Sequence, residues 1–177
     1  MLSFLKGLTY LLCNLTGATN LVAKFTGVRF FLPQLFLLRY ANFAGLSAID
    51  MEKKLTNCNS FEENSWCNYW GAFAEQYENN AQSFLAKDDI ESAWKERKKA
   101  IALYSVGAFP GTTPLRLSLH AKAKSLFEQM LPLWDNRWEK VELTIEQEDI
   151  TGYIFIPDKS KKITGYVVNQ WFRRHIS

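Results

Sequence analysis

The sequence predicts an α+β chain: a helical region followed by a short antiparallel β-meander. Three observations carry this. Apolar residues recur at helical spacing through the middle of the chain, and the period drops to two beyond residue 137. The composition, 47% apolar and 15% aromatic over 177 residues, supplies one good core with an appendage rather than a disordered chain.

The clearest pattern is residues 88–134, which read as two amphipathic helices joined by a tight corner. Asp88 or Asp89 can cap the first, and Glu91 sits three residues after Asp88, the spacing of a capping box. Ile90, Trp94, Ile101, Tyr104 and Ala108 form its apolar stripe. Lys95, Glu96, Arg97, Lys98 and Lys99 read as a solvated face. Phe109-Pro110-Gly111 stops this helix, because proline disfavours helix in the residue before it and glycine frees the turn. Thr113 as N-cap and Pro114 at the first helical position restart it. Leu115, Leu119, Ala123, Leu126, Phe127 and Met130 form the second stripe, up to Pro132.

Residues 1–48 are unusually apolar. Lys6 precedes the run at Leu8, but that run is short and no small-x-small cleavage site follows, so a signal peptide is not expected. A lipoprotein site at Cys13 is opposed by the bulky Leu12 before it. The stretch 30–38 is broken by Pro33 and Gln34 and falls short of the roughly 20 apolar residues that a bilayer span needs. Helices buried against the rest of the protein are favoured over attachment to a membrane surface. Left uncovered, they would expose a large apolar patch. Residues 49–64 are polar, with a loop and the start of a helix at 57–60. A further helix spans 65–86, with Trp66, Trp70, Phe73, Ala74, Tyr77, Ala81 and Phe84 in register and Asn79-Asn80 weakening its middle.

After Trp134 the pattern becomes extended. Val141, Leu143 and Ile145 alternate with Glu142, Thr144 and Glu146. Residues 146–149 turn the chain, 151–156 form a second strand ended by Pro157, and 163–168 form a third. Three strands cannot enclose a core, so an open edge is expected. The domains therefore read as 1–48, an apolar helical segment; 49–137, a helical cap-like domain; 138–169, the first strands of a sheet; and 170–177, an aberrant tail.

Several function classes are excluded by composition. A net charge of +3, with lysines interleaved among acids, offers no nucleic-acid surface. Three cysteines, Cys13, Cys58 and Cys67, lack the C-x-x-C spacing and read as small buried apolar groups in a reduced, cytoplasmic protein, with no metal site and no cofactor. Catalysis by acyl transfer needs a nucleophile, a base and oxyanion donors. No Gly-x-Ser-x-Gly occurs. His120 lies among Leu119, Ala121 and Lys122, and Ser118 is two residues away, off its helical face. His175 is in the tail. The acids Glu146, Glu148 and Asp149 fall in a turn, which provides no pocket for paired carboxylates. No catalytic residue is assigned.

One combination of segments resembles a known family. The order of a tryptophan-rich helix, the run Tyr104-Ser105-Val106-Gly107-Ala108-Phe109-Pro110, a helix with Phe127, then Lys140-Val141-Glu142-Leu143, Thr151-Gly152-Tyr153 and Ile156-Pro157 is similar to one branch of the α/β hydrolases. This is the branch of the dihydropseudooxynicotine hydrolase, polyketide C–C hydrolase and esterase-like type, and the likeness covers about residues 39–169. It implies an N-terminal helical cap followed by the opening strands of the hydrolase sheet, and hydrolysis of an ester or carbon–carbon bond by a serine nucleophile. Trp66, Trp70, Trp94 and Tyr104 could then wall a substrate pocket, with core packing the more ordinary role for such rings. A small-molecule substrate is implied where a catalytic domain is present.

The likeness breaks at Asn169. The family would continue with Asn-Gly-Gly-Phe-Asp-Gly, a loop of the oxyanion hole, and then with the nucleophile elbow. Here residues 170–176 read Gln-Trp-Phe-Arg-Arg-His-Ile. The codons CAG TGG TTT CGA CGG CAT, read one nucleotide later, spell Ser-Gly-Phe-Asp-Gly, and the tryptophan codon forces that glycine. The expectation is a truncated or frameshifted gene whose product is not catalytic alone, which the downstream DNA would test. The competing class is a tetratricopeptide-like interaction module, suggested by the equal separations of Trp66 from Trp94 and of Phe73 from Ile101. Such repeats are about 34 residues long, and few would fit. An uncovered apolar face or open strand edge would also let two copies associate.

Overall fold

The computed structural model describes residues 2–134, 137–145, 148–156 and 167–168. It has the expected α+β order. Helices α1 (Leu2–Thr16), α2 (Thr19–Thr26), α3 (Gln34–Ala44), α4 (Ala48–Asn57), α5 (Glu63–Leu85), α6 (Ile90–Ala108) and α7 (Pro114–Trp134) precede strands β1 (Trp138–Ile145), β2 (Glu148–Phe155) and β3 (Val167–Val168). A single 3-10 turn, Val28–Phe30, links α2 to α3. The chain forms two compact units, Met1–Phe127 and Glu128–Ser177.

The first unit is built on the antiparallel α5–α6 hairpin. Trp66, Cys67, Trp70, Ala74 and Ala81 of α5 are buried, as are Ala93, Ala100, Leu103, Tyr104 and Val106 of α6. The alanines allow the two helix axes to approach. Asn79-Asn80 does not break α5; Asn80 Nδ2 donates to Glu96 of α6 at 3.2 Å. Leu119, Ala123 and Leu126 of α7 join the same core. Residues 1–48 divide. Ala23, Val28, Leu37 and Ala41 enter the core, whereas α1 packs chiefly on α2 and leaves a leucine stripe outside.

Local details refine these expectations. Within the polar stretch after Ile49, ahead of the loop expected at 57–60, helix α4 runs Ala48–Asn57, capped by Ser47, whose Oγ accepts from the Asp50 N–H at 3.0 Å. Its Met51 and Leu55 are fully buried. The cap of α6 is Asp89, accepting from the Ser92 N–H at 3.0 Å, and Glu91 pairs with Lys95 at 2.6 Å rather than closing a capping box. Asp88, with φ of 59°, is part of the preceding turn. Arg97 does not belong to a solvated face but is buried beside Ala93 and Ala100 on α6. As expected for a stretch ending at Trp134, α7 runs through Pro132 to that residue, since a proline near a helix end removes only its own N–H from the ladder.

In the second unit, β1 and β2 pair antiparallel from Trp138↔Phe155 to Ile145↔Glu148, so Asp149, expected in the turn, lies in the strand, accepting from the Thr144 hydroxyl at 2.9 Å. β3 pairs with β2 through Tyr153↔Val168 and Ile154↔Val167, giving the order β1-β2-β3. Tyr153 is buried, and its hydroxyl donates to Glu128 at 2.7 Å. The expected third strand before Val167, and the tail 170–177, lie outside the described residues.

Candidate functional site

Helical spacing on α5 places Trp66, Trp70 and Phe73 along one flank, with Tyr69 beside them. The rings join into a continuous ladder. Phe61 stacks on Trp66 at 5.8 Å, Trp66 meets Trp70 edge-on at 5.5 Å, Trp70 meets Tyr69 at 5.3 Å, and Tyr69 meets Phe73 at 5.2 Å. Edge-to-face contacts at these distances set the positive ring edge against a negative face. Polar tips tie the ladder to its surroundings. Trp66 Nε1 donates to the Val106 carbonyl at 3.0 Å, and the Tyr69 hydroxyl donates to the Lys54 carbonyl at 2.8 Å. Burial pushes the Tyr69 phenol up to about 12.

Tyr104, on α6, is buried, and its hydroxyl donates to Glu78 Oε2 at 2.9 Å. Burial first, and the hydrogen bond to Glu78 second, hold its pKa well above the ordinary phenol value. Of the four candidate wall residues, the fold brings Trp66 and Trp70 into contact and buries both with Tyr104. Trp94 is half-buried and lies ten residues before Tyr104 on α6, about 15 Å away along the axis.

A cationic rim adjoins the ladder. Lys54 Nζ is 3.5 Å from the Phe73 ring centroid, and Lys99 Nζ is 5.3 Å from that of Tyr77. Ammonium groups over ring faces are attracted by the ring quadrupole. Burial holds the Lys54 pKa below the ordinary value. Sequence reasoning missed Arg116. This buried side chain reaches back from α7 to donate to the Gly107 and Phe109 carbonyls at 3.4 and 2.7 Å, satisfying the exposed end of α6. Its place depends on the extended backbone at Phe109, which no spacing rule reveals.

The groups capable of acid–base or nucleophilic work are placed as follows. His120 is half-buried on α7, its pKa lowered by burial and by neighbouring Lys124. Ser118 Oγ donates to the Leu115 carbonyl at 2.7 Å. Among the described residues, no group of three His, Cys, Asp or Glu side chains could hold a metal ion. Cys13, Cys58 and Cys67 are free and buried, and burial raises the thiol of Cys58 to about 11. Cys67 is raised by the same cause. At pH 8 the native chain is therefore expected to react with an aromatic disulfide reagent about 100-fold more slowly at Cys58 than the denatured chain does. Prompt labelling of Cys58 in the native state would contradict its burial.

No protein-family model matches the chain, and no curated protein matches it in sequence. A solved structure does: the crystal structure of the 2,6-dihydroxy-pseudo-oxynicotine hydrolase, at 23% identity and a TM-score of 0.52. The match covers 67% of this chain and 33% of that one, so this chain spans about a third of the length of the hydrolase. The likeness is one of fold, to an α/β hydrolase. Among the described residues, no helix is long and apolar enough to cross a membrane.

Proposed function

We propose that this chain supplies the helical cap and the leading strands of an α/β hydrolase acting on an ester or a carbon–carbon bond. The observation that carries the reading is the shared fold. A helical hairpin, a further helix and an antiparallel strand pair with the Gly152-Tyr153 step follow in one order, in a chain of which 67% matches a solved hydrolase. In this role α5 and α6 form the frame of the cap, tied together by the Trp66 indole on the Val106 carbonyl and by the Tyr104 hydroxyl on Glu78. Half-buried Trp94 keeps surface that a substrate could meet. The serine nucleophile, its histidine and its acid belong to a catalytic core outside these 177 residues. A tetratricopeptide-like module is not favoured, because the α5–α6 hairpin is followed by α7 and a sheet rather than by a second like pair.

Two measurements test the reading. The chain alone is expected to give no aryl-ester turnover that depends on its own serines. A rate abolished by Ser118→Ala or Ser125→Ala would refute the cap role. Conversely, the matching third of the 2,6-dihydroxy-pseudo-oxynicotine hydrolase can be replaced by the corresponding residues of this chain. The chimera is expected to unfold cooperatively and to turn over ester above the level of the same core with that third deleted. A folded chimera no better than the deleted core would remove the proposal.

A further inference from the structure

The hairpin that frames the proposed cap leaves the N-terminal helices unexplained, and these carry a surface of distinct chemistry. On α1, Leu8, Leu11, Leu12 and Leu15 stand at i, i+3, i+4 and i+7, a single helix face, and all four are exposed, Leu15 to 75%. Cys13, on the opposite side, is buried. On α2, Leu21 and Phe25 lie one turn apart and are likewise exposed, Phe25 to 85%, with Ala23 buried behind them. Four large side chains on one face of a helix are more than the scattered apolar exposure of an ordinary surface.

Charge identifies what this surface fits. Residues 1–49 hold Lys6, Lys24, Arg29 and Arg39 and no carboxylate; all 18 acidic side chains of the chain fall at or after Asp50. Arg29 is paired with Glu52 of α4 at 2.8 Å, so the cations that count toward this surface are the lysines and Arg39. Lys24 is exposed on α2 between Leu21 and Phe25. An apolar stripe accompanied by cations and free of acids complements an anionic bilayer surface. A second copy of the same segment would instead set cation against cation. Neither helix is long and apolar enough to cross a membrane, so the segment would lie along the surface.

We propose that α1 and α2 form a docking surface for a membrane rich in anionic phospholipid. The leucines and Phe25 enter the headgroup–acyl boundary, about 5–10 Å deep, while the Lys24 ammonium extends to the phosphates. The interaction is reversible, because two short helices bury limited area and the charge attraction is screened by salt.

The test is co-sedimentation of the whole chain with vesicles of phosphatidylcholine alone or of an equimolar mixture with phosphatidylglycerol. Binding to the mixed vesicles is expected to be at least about ten-fold tighter and to weaken with added salt. The double substitution L11E/L15E is expected to reduce it by about ten-fold or more without changing the thermal unfolding, since both sites are already solvated. Lys24→Glu, which leaves the apolar stripe intact, should weaken it several-fold. Absence of binding, or equal binding to both vesicle types, overturns the proposal. So does light scattering that shows a dimer dissolved by L11E/L15E while vesicles go unbound, which would make the occupant a second copy. The hydrolase chimera does not depend on this outcome.

Discussion

Gly27→Ala is expected to destabilise the first unit by about 3 kcal/mol or more. Gly27 has φ of 73° and ψ of 160°, a region of backbone space that residues with a Cβ essentially never occupy. That conformation alone would cost about 1–3 kcal/mol with a side chain present. Space makes it worse. A Cβ here would lie 2.2 Å from the Thr56 carbonyl oxygen and 3.0 Å from its carbon, and backbone at the end of α4 has no rotamer by which to withdraw. The contact exists because the next residue is tied to the same segment, Val28 N–H donating to the Cys58 carbonyl at 2.7 Å. The melting temperature should fall by roughly 6–12 °C. Gly45→Ala is the matched control: its φ of 63° is also left-handed, but nothing lies within 4 Å of a Cβ there. It should cost about 1–2 kcal/mol. Equal losses at the two sites would show that the approach of Thr56 has no energetic weight.

The joint at Gly27 could not be read from sequence, because it depends on α4, and α4 was itself hidden. Residues 49–64 look polar when composition is weighed, yet Met51, Leu55 and Cys58 recur at helical spacing, and Ser47 precedes Asp50 by three. Both signals were present, and an average over the stretch diluted them. The α5–α6–α7 array was legible for the opposite reason. Its apolar stripes are long and its breaks are marked by Asp89 and by Pro110-Gly111, so local preference and tertiary packing agree. Arg97 shows where pattern reading fails. Among Lys95, Glu96, Lys98 and Lys99 it looks like one more solvated charge, but at i+4 from Ala93 it falls on the buried side, with Nε and Nη1 lacking partners among the described residues. The pairing of Trp66 with Trp70 was readable as one turn of helix. Burial of Tyr104, with its hydroxyl on Glu78, required the α5–α6 crossing, which sequence spacing does not supply.

Trp70→Ala is expected to cost about 3–5 kcal/mol, a large share of the roughly 5–15 kcal/mol that holds a domain together. Trp70 is fully buried, contacts Trp66 and Tyr69, and lies under the Gly107 backbone where α6 crosses α5. Removing the indole leaves a void that rigid helices on both sides cannot close. Phenylalanine substitutions separate volume from hydrogen bonding. Trp70 Nε1 has no partner among the described residues, so Trp70→Phe loses packing but removes an unsatisfied donor. Trp66 Nε1 donates to the Val106 carbonyl, which also accepts from the Phe109 N–H at 3.2 Å, so Trp66→Phe adds the loss of one hydrogen bond, about 0.5–1.5 kcal/mol, without leaving the acceptor dry. The urea midpoints should therefore fall in the order Trp70→Ala most, Trp66→Phe next and Trp70→Phe least. If Trp70→Phe proves as damaging as Trp66→Phe, the Trp70 indole N–H contributes a bond that this packing does not contain. The order matters for the cap reading, because α5 would then hold α6 by shape where Trp70 meets Gly107 and by direction where Trp66 meets the Val106 carbonyl.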